Sequence, residues 1–362
     1  MTRVYIPDTT GVPEGLLVSL VFWSNYRFEI SPKRLFLRDI LESYTKPFFT
    51  FVNSIEEADF VAVPFEYFFV LRHAPEYLSF AYALAKKANK KVLLFDYTDY
   101  VDRVPALPPH AVLFRVSTYR HHKQKNEIVM PYVVEDFGKT ISPHTKKPER
   151  PVVGFCGLSR FDSRLKILKM CLKELVRWLL FTLTGDAISS AHAGGIFWRR
   201  RAIAFLRKAN AVDCLFIERD SYSLHRHSIS GDPEQVRGEY RKNLAASHLA
   251  LVVRGDSNAS QRFYETLSAC RVPLFLDTDC VLPLEELIDY DAVMIRVPWR
   301  RLSALAETAA KWYASKTQSE FAKAQNRARE IFQTYLRLDR YFEIVFDKGN
   351  SPYAPILFTE RD

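Results

Sequence analysis

The sequence is poor in glycine and cysteine and has no long apolar run. Gly 12 and Pro 19 in 362 residues exclude a collagen-like or low-complexity chain. Neither G-x-G-x-x-G nor G-x-x-x-x-G-K-[ST] occurs, so no dinucleotide-redox loop and no NTP-hydrolysing loop is supported. The five cysteines, Cys156, Cys171, Cys214, Cys270 and Cys280, form no C-x-x-C pair. They read as reduced thiols, not as a disulfide framework or a zinc site. The opening MTRVYIPD lacks an apolar signal-peptide core. Residues 15–23 and 60–71 are apolar but too short to span a bilayer, and Pro64 and Glu66 interrupt the second stretch. The expectation is a cytoplasmic protein with no transmembrane segment, whose membrane contact is peripheral to the inner surface.

What is present suits a large packed core: 48% hydrophobic, 14% aromatic and 26% charged residues. The formal net charge of +9 fits a polyanionic substrate, a nucleic acid or an anionic membrane surface, and does not choose among them. Basic runs at 120–125, 199–201 and 296–301 are most simply solvated faces. No nucleic-acid-binding module is recognisable, so no nucleic-acid partner is expected.

Short runs rich in Val, Phe and Leu predict buried strands at 60–64, 91–95, 111–115, 151–156, 213–217, 248–253 and 272–276. Helix-period stretches lie at 31–42, 77–89, 164–184, 198–209, 233–246, 260–270, 283–288 and 304–332. The alternation predicts an α/β protein with parallel sheets covered on both faces. Residues 134–150 are polar, contain two prolines and precede a fresh strand, as an interdomain linker would. The expected division is 1–145, 146–335 and a tail, 336–362, whose apolar stripe packs back on the body.

The most informative stretch is LALVVRGDSNASQRFYETLSACRVPLFLDTDCVLP, residues 249–283. A buried strand ends in a polar loop, a helix follows, and a second strand ends in an acidic loop. Ligands bind at the carboxyl ends of strands in open parallel sheets. A helix N-terminus offers free N–H groups and partial positive charge there. Ser257 and Ser260 supply caps and hydroxyls. Arg254 and Arg262 supply two guanidinium forks for a diphosphate. Glu265, three residues beyond Arg262 on the same helix face, suits the hydroxyls of a ribose. The pattern reads as a nucleotide-diphosphate site. A surface Arg262–Glu265 pair with capping serines remains the plainer alternative.

At these residues the sequence resembles the exostosin-type glycosyltransferases, whose signature runs RGD-x-x-x-S-x-R, an acidic residue three positions on, then Gly-Cys-[IV]-Pro. IEEADFVAVP at 55–64, VGFCG at 153–157 with Arg164, and YRKNLAASHLALVV at 240–253 resemble further family segments in the same order. One departure is Cys270-Arg271 before Val272-Pro273, where the family has Gly-Cys. The resemblance implies a GT-B fold, in which two Rossmann-like domains face each other across a cleft. It implies an inverting transferase working in polysaccharide or glycan synthesis. The C-terminal domain would hold a UDP-sugar and the N-terminal domain a saccharide acceptor, anionic or lipid-linked. Arg254 and Arg262 would then hold the diphosphate and Glu265 the ribose, with Arg164 and the loop from Gly157 to Arg160 bordering the pocket.

Inversion needs a base on the face opposite the leaving UDP. Glu66, Asp96 and Asp99, at strand carboxyl ends of the N-terminal domain, are the candidates. Arginines and a helix N-terminus can carry the leaving charge, and the resemblance implies metal-free catalysis, so no metal or other cofactor is expected. Asp277 and Asp279 are taken as a loop against the donor sugar, with a metal-binding D-x-D as the alternative. His225-Arg226-His227 is most simply a basic loop; two histidines alternate on one strand face, but no third ligand is evident. The rival of another class is a non-catalytic nucleotide-sugar or glycan-binding protein of the same fold.

Overall fold

The computed structural model describes residues 1–23, 35–161, 163–185, 189–222 and 229–358. The predicted 225–227 cluster and the start of the 31–42 helix fall outside them. The strands are β1 Arg3–Tyr5, β2 Thr50–Phe51, β3 Phe60–Glu66, β4 Val92–Asp96, β5 Ala111–Arg115, β6 Glu127–Val129, β7 Val152–Leu158, β8 Asp213–Arg219, β9 Leu249–Val252, β10 Val272–Asp277 and β11 Ile295–Pro298. The α-helices are α1 Leu37–Glu42, α2 Tyr67–His73, α3 Pro75–Lys87, α4 Arg164–Leu183, α5 Gly195–Lys208, α6 Pro233–Ala246, α7 Gln261–Ser268, α8 Leu305–Ala314, α9 Gln318–Ile331, α10 Leu338–Val345 and α11 Ala354–Phe358.

Two parallel sheets result, ordered β2-β1-β3-β4-β5-β6 and β11-β10-β9-β7-β8. The α/β expectation holds. The strands that read as continuous apolar runs are buried along most of their length, because helices cover both faces of a parallel sheet. In the second sheet the chain runs β7 to β8, then crosses back to β9 on the other side of β7. That reversal opens a crevice at the carboxyl ends of β7 and β9.

The two halves meet at these carboxyl ends. The segment after β5 crosses to the second half, where Tyr119 bridges Cys280 and the Arg120 N–H donates to Asp279 O over 2.9 Å. Asn258 Nδ2 donates back to Thr118 O over 3.0 Å.

The helix predicted at 283–288 does not form: the chain turns there, with Leu284 in the left-handed region at φ +53°. The 304–332 stretch divides into α8 and α9. Thr317 caps α9, and its hydroxyl and Glu320 form a capping box that starts a new helix. The tail leaves α9 and packs α10 under the first sheet, with Phe342 among Phe48, Phe49, Phe95 and Phe114. All five cysteines are free.

Candidate functional site

Arg254 follows β9 at the crevice and is 1% exposed. Its Nη1 donates to Tyr119 Oη over 2.7 Å and to Ala191 O over 2.8 Å, and its Nη2 donates to Asp256 O over 3.1 Å. Arg262, in the first turn of α7, reaches back under β7 to donate from Nη2 to Cys156 O over 2.5 Å. Its guanidinium lies 4.4 Å from the Phe155 ring centroid. This close approach requires glycine at 157: a Cβ there would sit 2.8 Å from Arg262 Nη2, and the φ is +155°.

A third arginine joins them. Arg199, on α5, is buried and donates from Nη1 to Leu158 O over 3.0 Å. Burial first, then the positive charge of Arg262, pulls its pKa down to about 10. Arg199 Nε, Arg254 Nε and Arg262 Nη1 are buried with no hydrogen-bond partner among the described residues. Nor does any of the three make a carboxylate ion pair among them. Three guanidiniums gathered at a strand-end crevice, each with an unsatisfied donor, form a site for a polyanion. The sequence carried Arg199 only as part of a basic run; no local signal turns it inward.

Asp99 stands beside this cluster. It follows β4 and is exposed, yet Ser257 hydrogen-bonds its carboxylate across the seam. Partial desolvation, with Asp256 adding repulsion, keeps its pKa above the ordinary aspartate value against the pull of Ser257 and Arg254. Ser257 Oγ also lies 3.1 Å from Tyr132 Oη. Ser260 takes the N-cap position of α7 without a side-chain cap bond, so its hydroxyl is not the predicted cap.

Several expected positions come out differently. The surface Arg262–Glu265 pair does not form. Glu265 is buried, with Oε1 3.4 Å from both Nη atoms of Arg237 and Oε2 accepting from Tyr240 Oη at 2.5 Å. Both carboxylate oxygens are thus engaged by Arg237 and Tyr240.

Glu66 and Asp96 are each 1% exposed. Glu66 accepts from the Tyr97 N–H at 2.5 Å, and burial with the Asp96 charge pushes its pKa well up. Asp96 lies 3.4 Å from Arg115 Nε, and Arg115 also pairs with Glu127 at 2.9 Å. These two carboxylates brace the first sheet and present no face to an acceptor.

Asp277 accepts from Arg296 over 3.1 Å and from the Cys280 N–H over 2.9 Å. Asp279 accepts from His121 Nδ1 over 2.7 Å and from its N–H over 3.2 Å. Asp279 therefore ties the seam, while Asp277 is held within the second half. Among the described residues no cluster of three or more His, Cys, Asp or Glu gathers to hold a metal. Arg160 is exposed and pairs with Glu218 at 3.1 Å. Arg164 opens α4 with its side chain exposed, and no described contact joins it to the arginine cluster. His121, brought to Asp279 by the fold, was invisible as a partner in the sequence.

Residues 207–311 match the family model of the Exostosin GT47 domain. This stretch is similar to an exostosin-type domain. It holds Arg254, Ser257, Ser260, Arg262, Glu265, Asp277 and Asp279, the residues on which the resemblance was drawn. An Exostosin-1 homolog from Caenorhabditis elegans is 31% identical over 120 residues, covering 32% of this chain and 30% of that protein. The match thus spans less than a third of that relative. Two solved structures are similar at low scores. TarM has a TM-score of 0.35 and 10% identity, covering 80% of this chain and 51% of that one. The spinosyn rhamnosyltransferase SpnG, complexed with thymidine diphosphate, has a TM-score of 0.32 and 13% identity, covering 75% and 76%. The exostosin-type stretch builds most of the second sheet. The first sheet meets it at the strand carboxyl ends, so the chain has two parallel sheets facing each other, as the resemblance leads one to expect.

Proposed function

We propose that this protein is an inverting glycosyltransferase, moving a sugar from a UDP-sugar to a saccharide acceptor in glycan synthesis. The observation that carries this reading is the cluster of Arg199, Arg254 and Arg262, each with a buried unsatisfied donor. A diphosphate supplies the missing acceptors. As the glycosidic bond to UDP breaks, negative charge grows on the β-phosphate. Preorganised guanidiniums stabilise that charge more in the transition state than in the ground state, without a metal.

Asp99 is the base in this scheme. It lies on the N-terminal half and is solvent-accessible, and its raised pKa favours accepting the acceptor hydroxyl proton. The His121–Asp279 contact at 2.7 Å favours a second reading, in which His121 is the base and Asp279 orients its ring. The acceptor is a saccharide hydroxyl, and an anionic or lipid-linked one suits the +9 charge.

The test is calorimetry of UDP binding. Arg199→Ala and Arg262→Ala each remove charge-assisted contacts of about 1.5–3 kcal/mol, so affinity falls roughly tenfold to a hundredfold. Release of UDP from the matching UDP-sugar falls with it. Wild-type UDP affinity in both variants would remove the diphosphate from this crevice. Tight UDP binding with no turnover across a panel of UDP-sugars and acceptors would leave a binding protein.

A further inference from the structure

Helix α4 is built the wrong way round for a helix on a protein surface. At 3.6 residues per turn its inward row is Ile167, Met170, Glu174, Arg177 and Phe181, the five residues of the helix that are partly covered. Phe181 stacks on His192 with centroids 3.8 Å apart, and Arg177 Nη1 donates to His192 O over 2.8 Å. The opposite face is wholly apolar: Leu165, Leu168, Leu172, Leu175, Val176, Leu179 and Leu183. Leu168 is 65% exposed, Leu172 60% and Leu183 82%. An amphipathic helix on a soluble body turns that stripe inward; here a leucine band about 30 Å long points away from the protein. An exposed apolar patch of this kind marks an interaction surface.

Charge identifies what covers it. Lys166, Lys169 and Lys173 form a row along one edge of the leucine band, and Arg164 lies at the other edge. Glu174, the one acidic residue of the helix, belongs to the inward row and lies 3.8 Å from Arg177. A second copy of the chain is a poor fit. Two such helices packed antiparallel would set lysine row against lysine row, and packed parallel would offer the lysines no carboxylate on the facing edge. An anionic bilayer meets both features at once, taking the leucines into its interface and the lysines among its headgroups.

The adjoining groove agrees with this. Between α4 and α5 lies a cavity of about 470 Å³, lined by Trp178, Trp198 and Trp299 together with Arg201 and Arg300. Tryptophan and arginine together suit the headgroup level of a membrane. No helix among the described residues is long and apolar enough to cross a membrane, so the geometry is one of lying on it.

We propose that α4 docks this protein onto an anionic lipid bilayer, leucine stripe down. The proposal does not depend on sugar transfer, and UDP binding reports separately on the arginine crevice.

The experiment is co-sedimentation of the full chain with phosphatidylcholine vesicles, with and without phosphatidylglycerol. The wild type partitions onto the anionic vesicles at least about tenfold more strongly than onto neutral ones, and raising the salt weakens it. Leu172→Glu and Leu179→Glu abolish the partitioning, and Lys166→Glu with Lys169→Glu reduces it. All keep wild-type UDP affinity and melting temperature, since these side chains are exposed. No preference for anionic vesicles, or stripe variants that bind as the wild type does, would overturn the proposal. So would a concentration-dependent dimer that Leu172→Glu dissolves, which would give the stripe to a second copy.

Discussion

Three carboxylates at strand carboxyl ends of the first sheet have different surroundings, and their chemistry separates accordingly. Glu66 is sealed beside Asp96, away from any acceptor, so Glu66→Gln changes little: UDP-sugar turnover stays within about twofold of wild type. Asp99→Asn removes the accessible base and drops kcat by roughly 10²–10⁴ while UDP affinity holds. A kcat unchanged in Asp99→Asn but lost in His121→Ala transfers the role to His121. Asp96 has a separate signature in stability. Burial raises its pKa to about 6, against the pull of Arg115 and Thr98 and with Asp99 adding repulsion. The folded state therefore holds a proton that the unfolded chain has already released above its ordinary value of 3.8. Stability is greatest below that value and falls as pH rises towards 6, by up to about 3 kcal/mol at 1.36 kcal/mol per unit. Asp96→Asn flattens that fall in urea unfolding followed from pH 4 to pH 7. A slope identical to wild type would mean that Asp96 titrates normally in the fold.

At the scale of elements, the pocket depends on a residue without a side chain, Gly157, next to the end of β7. Gly157→Ala would push the Arg262 guanidinium off the Cys156 carbonyl and place alanine at a φ it rarely adopts, a strain of about 1–3 kcal/mol. The expected result is a folded protein with several-fold weaker UDP binding by calorimetry; wild-type affinity would show that Arg262 reaches the ligand from elsewhere. Much of this element was legible in the sequence. The apolar runs of β3, β4, β5, β7, β9 and β10 declared themselves because burial on both faces leaves no room for polar alternation. Three of the strands not foreseen, β2, β6 and β11, are two to four residues long and lie at sheet edges, and β1 has only three residues. Arg254 and Arg262 were found because nine residues of one loop and helix carry them. Arg199 on α5, Tyr119 and the Asp99–Ser257 contact come from segments far apart in sequence, and only the crossing of the two sheets brings them together. The outward leucines of α4 were visible as a helix period, but the period does not say which face meets the body.

At the scale of the whole molecule, the tail makes the two sheets one folding unit. The chain leaves the second half through α9, and Arg329 there pairs with Asp136 of the connecting segment. It then lays α10 beneath the first sheet, where Tyr341 Oη donates to Val129 O over 2.9 Å. Tyr353 Oη reaches back to Glu286 of the second half over 3.2 Å. Phe342 is 3% exposed and stands within 6.3 Å, centroid to centroid, of Phe48, Phe49, Phe95 and Phe114. Cutting it to alanine removes an aromatic core side chain and leaves a cavity, at a cost of about 3–5 kcal/mol. If the halves were independent, calorimetry of Phe342→Ala would show the first half melting early and the second unchanged. The shared tail instead predicts a single transition, shifted down as a whole, with UDP raising the midpoint of both wild type and variant. Two separated transitions, of which UDP moves only the upper one, would show that the seam and the tail do not couple the halves.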